Sequence, residues 1–88
     1  MNPREREMRE RLAVLNPSFV EIIDESHKHA GHAGARDGGG HYVLNIVSPR
    51  FSGNNTVARH RMIYSALGEL MKRDIHALTI QARTPDEI

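Results

Sequence analysis

The sequence predicts an α+β fold: one three-stranded mixed sheet with its helices on one face, in a single domain spanning residues 1–88. Two observations carry the sheet, and one carries the helical layer. "HYVLNIV" alternates so that Tyr42, Leu44 and Ile46 share a face, which is the period of a half-buried strand. "FVEIIDES" is rich in β-branched residues and sets Val20 and Ile22 opposite Glu21 and Glu25. Between the second strand and "HALTIQA", the residues Val57, His60, Ile63, Tyr64, Leu67, Leu70 and Met71 recur at helical spacing.

At the N-terminus, Asn2, Pro3 and Glu5 fit an N-cap, a first-turn proline and a capping-box acid, and Met8, Leu12 and Leu15 supply a buried stripe. The first helix is expected from Pro3 to Leu15, ended by Asn16 and Pro17. The first strand then covers "FVEIIDES", and a glycine-rich loop from His27 to Gly40 leads to the second. "SPRFSGNN" punctuates the chain, with Phe51 read as a core anchor, Asn54, Asn55 and Thr56 as helix-capping residues, and Gly53 as a positive-φ turn. The main helix follows from about Thr56 to Arg73, with Arg61, Ser65, Gly68 and Lys72 on its polar side. Thr84, Pro85 and Glu87 repeat the capping-box spacing after the third strand.

A long helical crossover between the second and third strands makes them parallel, so both start at the same end of the sheet. The loop between the first two strands lies at that end as well. His76, opening the third strand, is therefore expected near His27, His29, His32 and His41. His60 falls at the opposite end, on the apolar side of its helix.

Eighty-eight residues allow one small core. There are no cysteines, which excludes disulfides, thiol catalysis and thiolate-only metal sites. No segment has the apolar length of a membrane span or a signal peptide, and the expectation is a cytoplasmic protein. The net charge of +1 is unevenly spread: Arg50, Arg59, Arg61, Lys72 and Arg73 face only Glu69 between positions 50 and 73. Such a patch suits nucleic acid, an acidic protein surface, or solvent alone. No paired carboxylate, nucleophile–base pair or phosphate loop accompanies the histidines, so the chain reads as a non-enzyme. The histidines themselves suit metal binding, since imidazole is a ligand for zinc, nickel, copper and iron, but they also suit a polar loop.

"SPRFSGNNTVARHRMIYSAL" followed by "IHAL", preceded by "DES" and a histidine-bearing loop, resembles the BolA family over nearly the whole chain. The resemblance implies a type II KH-like fold of order α-β-β-α-α-β. It also implies a partnership with a monothiol glutaredoxin and its glutathione, with a two-iron two-sulfur cluster bridged between the two proteins. The family's strand-three histidine corresponds to His76, and its second ligand comes from the loop, where His29 and His32 both match. With no cysteine, the chain is similar to the histidine-loop branch. Imidazole donors on one iron are chemically sufficient, as in Rieske-type centres. The family is also associated with transcriptional regulation, which makes DNA the alternative partner. Arg50, Gly53, Arg59 and Arg61 then form the nucleic-acid-binding end, where a KH domain places its glycine loop.

Overall fold

The computed structural model describes residues 3–26 and 40–88. Helix α1 (Pro3–Leu12) buries Met8 and Leu12, and a 3-10 turn (Ala13–Leu15) carries Leu15 into the same core. Asn16 stops it by adopting the left-handed conformation, φ 52°, which asparagine tolerates better than most residues. Strands β1 (Phe19–Asp24) and β2 (Gly40–Val47) pair antiparallel, and β2 pairs parallel with β3 (Ile75–Arg83), giving the order β1-β2-β3. Between β2 and β3 lie a 3-10 turn (Pro49–Phe51), helix α2 (Thr56–Leu67) and the short helix α3 (Leu70–Arg73).

The helices cover one face of the sheet. Tyr42, Leu44 and Ile46 of β2 meet Met8, Leu12, Phe51, Ile63, Leu67 and Leu70 there in one cluster. The other face, with Glu21, Ile23, Val43, Asn45, Thr79 and Gln81, is open, and Asn45 donates to Glu21 across it at 2.8 Å. Phe51 is fully buried, and truncating such a ring to alanine typically costs about 3–5 kcal/mol. Ser48 is fully buried as well: its hydroxyl donates to the Leu15 carbonyl at 2.6 Å and accepts from the Arg50 amide at 3.1 Å. One polar side chain thereby ties the end of the α1 layer to the exit from β2.

The structure corrects the sequence expectations at four places. The first strand ends at Asp24, because the Asp24 carboxylate accepts from the Ser26 amide at 2.8 Å and turns the chain. The third strand is longer than "HALTIQA", running from Ile75 to Arg83. The main helix does not continue to Arg73: it stops at Leu67, and Gly68, at φ 54° and ψ −125°, separates α2 from α3. The inward stripe of α2 is also narrower than expected, since Ile63 and Leu67 are buried whereas Val57 and Tyr64 are exposed.

Both edge strands have a backbone acceptor covered by an arginine. Arg9 of α1 donates to the Val20 carbonyl of β1 at 3.0 Å, and Arg59 of α2 donates to the Ala82 carbonyl of β3 at 3.0 Å. Arg59 is held further by Glu87, with contacts of 2.6 and 3.0 Å, and by the Asn54 carbonyl at 2.8 Å. Its guanidinium carbon lies 6.0 Å from the Phe51 ring centre. Glu87 in turn accepts from the Thr84 amide at 2.8 Å, closing the capping box of the final 3-10 turn (Pro85–Glu87).

A candidate metal-binding end of the sheet

The parallel pairing of β2 and β3 brings His41 and His76 together as the topology requires. Their ring centres are 5.0 Å apart and their planes are tilted by 43°. The register between the strands shifts here: Gly40 partners Ile75, whereas His41 partners Ala77, so His76 is the extra residue of a β-bulge. The bulge changes the phase of β3. Ile75 points into the core on one side of it and Leu78 on the other, which strict alternation forbids for residues three apart. His76 and Ala77 are consequently both exposed.

His41 is fixed from behind. Its amide donates to the Ser26 hydroxyl at 3.0 Å and its carbonyl accepts from the Glu25 amide at 2.8 Å, clamping the point where the chain re-enters the sheet. Gly40 beside it leaves no space for a side chain, because a Cβ there would sit 2.4 Å from the Tyr42 ring and 2.8 Å from Arg4. Arg4 also donates to the Tyr42 hydroxyl at 3.3 Å. This end of the sheet is thus built tightly around two neighbouring imidazoles, one of them facing solvent. His29 and His32, with His27, lie outside the described residues. Among the described residues, no three histidine or carboxylate groups converge on one point. The donors that are present fit a metal or cluster accepting neutral nitrogen ligands, since imidazole binds iron, zinc and copper.

The basic positions lie at the other end. Gly53 is exposed at φ 79°, with open space where a Cβ would stand, and Asn55 caps α2 by accepting from the Ala58 amide at 2.9 Å. Arg50 and Arg61 are exposed and form no ion pair among the described residues. Arg59 is differently placed from both. Four of its contacts go to Glu87, Ala82 and Asn54, its side chain is 14% exposed, and Glu87 holds its pKa above the ordinary value. The same pair, with the Thr84 amide, pulls the Glu87 carboxyl down to about 2. That long-range latch was missed in the sequence because the partners are far apart along it. The terminal capping box was the one local sign that Glu87 would be fixed. His60 is half-buried, edge-on to Tyr64 at 6.5 Å, and separate from the His41–His76 pair.

A small α+β module with a three-stranded mixed sheet and an imidazole pair at one end is the class these features define. The chain belongs to the BolA-like protein family, whose model matches residues 12–87. It is 43% identical to SufE-like protein 1, chloroplastic/mitochondrial, of Arabidopsis thaliana, aligning over 100% of this chain and spanning only 25% of that relative's length. It is 39% identical to the DNA-binding transcriptional regulator BolA of Escherichia coli (strain K12), over 96% of this chain and 77% of the relative. Among solved structures, the BolA domain of SufE1 from Arabidopsis thaliana superposes with a TM-score of 0.86 at 42% identity, covering 100% of this chain and 99% of that one. No helix among the described residues is long and apolar enough to cross a membrane.

Proposed function

We propose that this chain is a non-enzymatic adaptor that joins a monothiol glutaredoxin, with its glutathione, and helps bind or transfer a two-iron two-sulfur cluster. His76 and one loop histidine, His29 or His32, act as its ligands. The observation that carries this reading is the bulge that lifts His76 out of the β3 ladder and exposes it beside His41, at a ring separation of 5.0 Å. A histidine serving only the fold gains nothing from a solvent-facing position on a bulge. A ligand shared with a second protein needs it. The cluster is cargo: two neutral imidazoles on one iron leave the other iron to the partner's sulfur donors. The ring contact with His76 supports an orienting role for His41, of the kind that outer residues around metal-bound imidazoles commonly have.

The test is reconstitution of the cluster on a glutaredoxin with and without this chain, followed by visible absorption and circular dichroism. The expected result is a spectrum altered by the wild-type chain and not by His76→Ala. Unchanged spectra with the wild-type chain would defeat the proposal.

A second reading, DNA binding at the opposite end, is favoured by the exposed Arg50 and Arg61, which form no ion pair among the described residues, and by the name of the Escherichia coli relative. Here affinity for duplex DNA falls steeply with salt as released counterions lose their advantage. Arg61→Ala weakens it, while His76→Ala leaves it unchanged. Salt-independent binding would rule this reading out.

A further inference from the structure

The backbone of β3 alternates in the direction of its hydrogen-bonding groups as well as its side chains. The Arg83 carbonyl accepts from the Ser48 amide at 2.9 Å, so Arg83 turns its peptide groups toward β2. The Ala82 carbonyl accepts from Arg59 instead, so Ala82 turns outward. By alternation, Thr79 and Gln81 face β2, and Ile80 and Leu78 face outward with Ala82. No bond outside the sheet ladder reaches the Leu78 or Ile80 backbone among the described residues. Arg59, clamped by Glu87, closes the edge at Ala82 and leaves it open at Ile80 and Leu78.

The open stretch adjoins a recess of about 210 Å³ between α2 and β3, lined by Thr56, Arg59, His60, Ile80, Gln81 and Arg83, along with Ala82. An edge strand beside a helix is the arrangement in which extended peptides add to a sheet by backbone pairing. Charge selects among such peptides. Arg59 is neutralised by Glu87, but among the described residues Arg83 has only the neutral Gln81 amide oxygen as a side-chain partner, at 2.8 Å, and His60 is the other titratable group of the recess lining. The geometry points to a peptide-binding groove at which an extended partner segment pairs with Leu78 and Ile80 and places a carboxylate in the recess beside Arg83 and His60. This goes beyond the cluster reading and does not depend on it.

A random-peptide library displayed on phage, panned on the intact chain, tests the inference. Extended sequences with an acidic residue at a fixed position should be enriched, and a selected peptide should slow hydrogen exchange at the Leu78 and Ile80 amides. Arg83→Glu should weaken that peptide at least about tenfold, as a like-charge contact replaces an attractive one. Ile80→Pro should abolish binding, because proline lacks the outward N–H that an added strand would pair with; edge strands tolerate proline, although here the change also trims a side chain packed against the core. Should that variant unfold, the wild-type amide exchange still decides the matter. No enrichment, or enriched peptides that leave both amides unprotected, overturns the inference. So does binding of a single-stranded oligonucleotide that perturbs His60 and Arg83 in place of a peptide. Protection that appears only as the chain dimerises with rising concentration assigns the edge to a second copy and overturns the peptide groove.

Discussion

Replacing Gly68 by alanine separates two descriptions of the helical layer by the sign of its effect. In one continuous helix from Thr56 to Arg73, Gly68 occupies an exposed interior position, and alanine gains about 1 kcal/mol through its higher helix propensity. In the observed fold Gly68 sits at φ 54° and ψ −125°, a region that residues with a Cβ enter at a cost of about 1–3 kcal/mol. The added methyl would also stand 3.2 Å from the Arg11 guanidinium, but that group is the end of a flexible chain bonded to Glu7 and the Leu67 carbonyl, and it can move. Backbone strain therefore dominates, and Gly68→Ala loses about 1–3 kcal/mol. For a domain of this size each kcal/mol lowers the melting temperature by about 4–8 °C. Urea unfolding followed by circular dichroism reads the loss as a lower midpoint at unchanged slope. D-Alanine, introduced by chemical synthesis, provides the control: for it these angles are the mirror image of the favoured (−54°, 125°), so stability should be retained. A Gly68→Ala protein as stable as the parent, or more so, would refute the break between α2 and α3.

Three further outcomes are expected. Ser48→Ala removes one buried and one partly buried hydrogen bond and strands the Leu15 carbonyl, costing about 2 kcal/mol in the same urea assay. Glu87, whose pKa falls from the ordinary 4.5 to about 2 on folding, contributes stability that is complete above pH 4.5 and lost as pH falls through about 2. A pH series of unfolding midpoints should therefore show Glu87→Gln weaker than the parent at neutral pH, with the difference closing across that acid window. His76→Ala should change the unfolding free energy by less than about 0.5 kcal/mol, as exposed substitutions usually do, while losing the heterodimeric cluster spectrum.

Much of the architecture was legible because it rests on local rules. Alternation in β2 identified Tyr42, Leu44 and Ile46 as core residues, the crossover fixed the parallel pairing, and Asn55 signalled the start of α2. Those rules also set His76 at the same end of the sheet as His41, where the two rings lie 5.0 Å apart. What escaped them depends on phase or distance. A glycine on the polar side of a helical pattern does not announce a positive φ, and Val57 and Tyr64 match helical spacing while lying outside the face that α2 buries. The bulge at His76 is invisible to a period-two reading, which simply starts the strand one residue late. Arg59 reads as a surface cation until the chain folds back and sets Glu87 against it.

The extra residue in β3 also separates two kinds of selection. Ile75 and Leu78 answer to the core, and a poor choice at either is punished in stability. Position 76 has no partner in the ladder and no place in the interior, so the fold is indifferent to which side chain stands there. Evolution can therefore vary the chemistry at this one site without renegotiating the packing on either side. A library of all substitutions across 75–78, sorted separately for folding and for cluster retention, should show steep folding profiles at Ile75 and Leu78, a flat one at His76, and the reverse order for cluster retention.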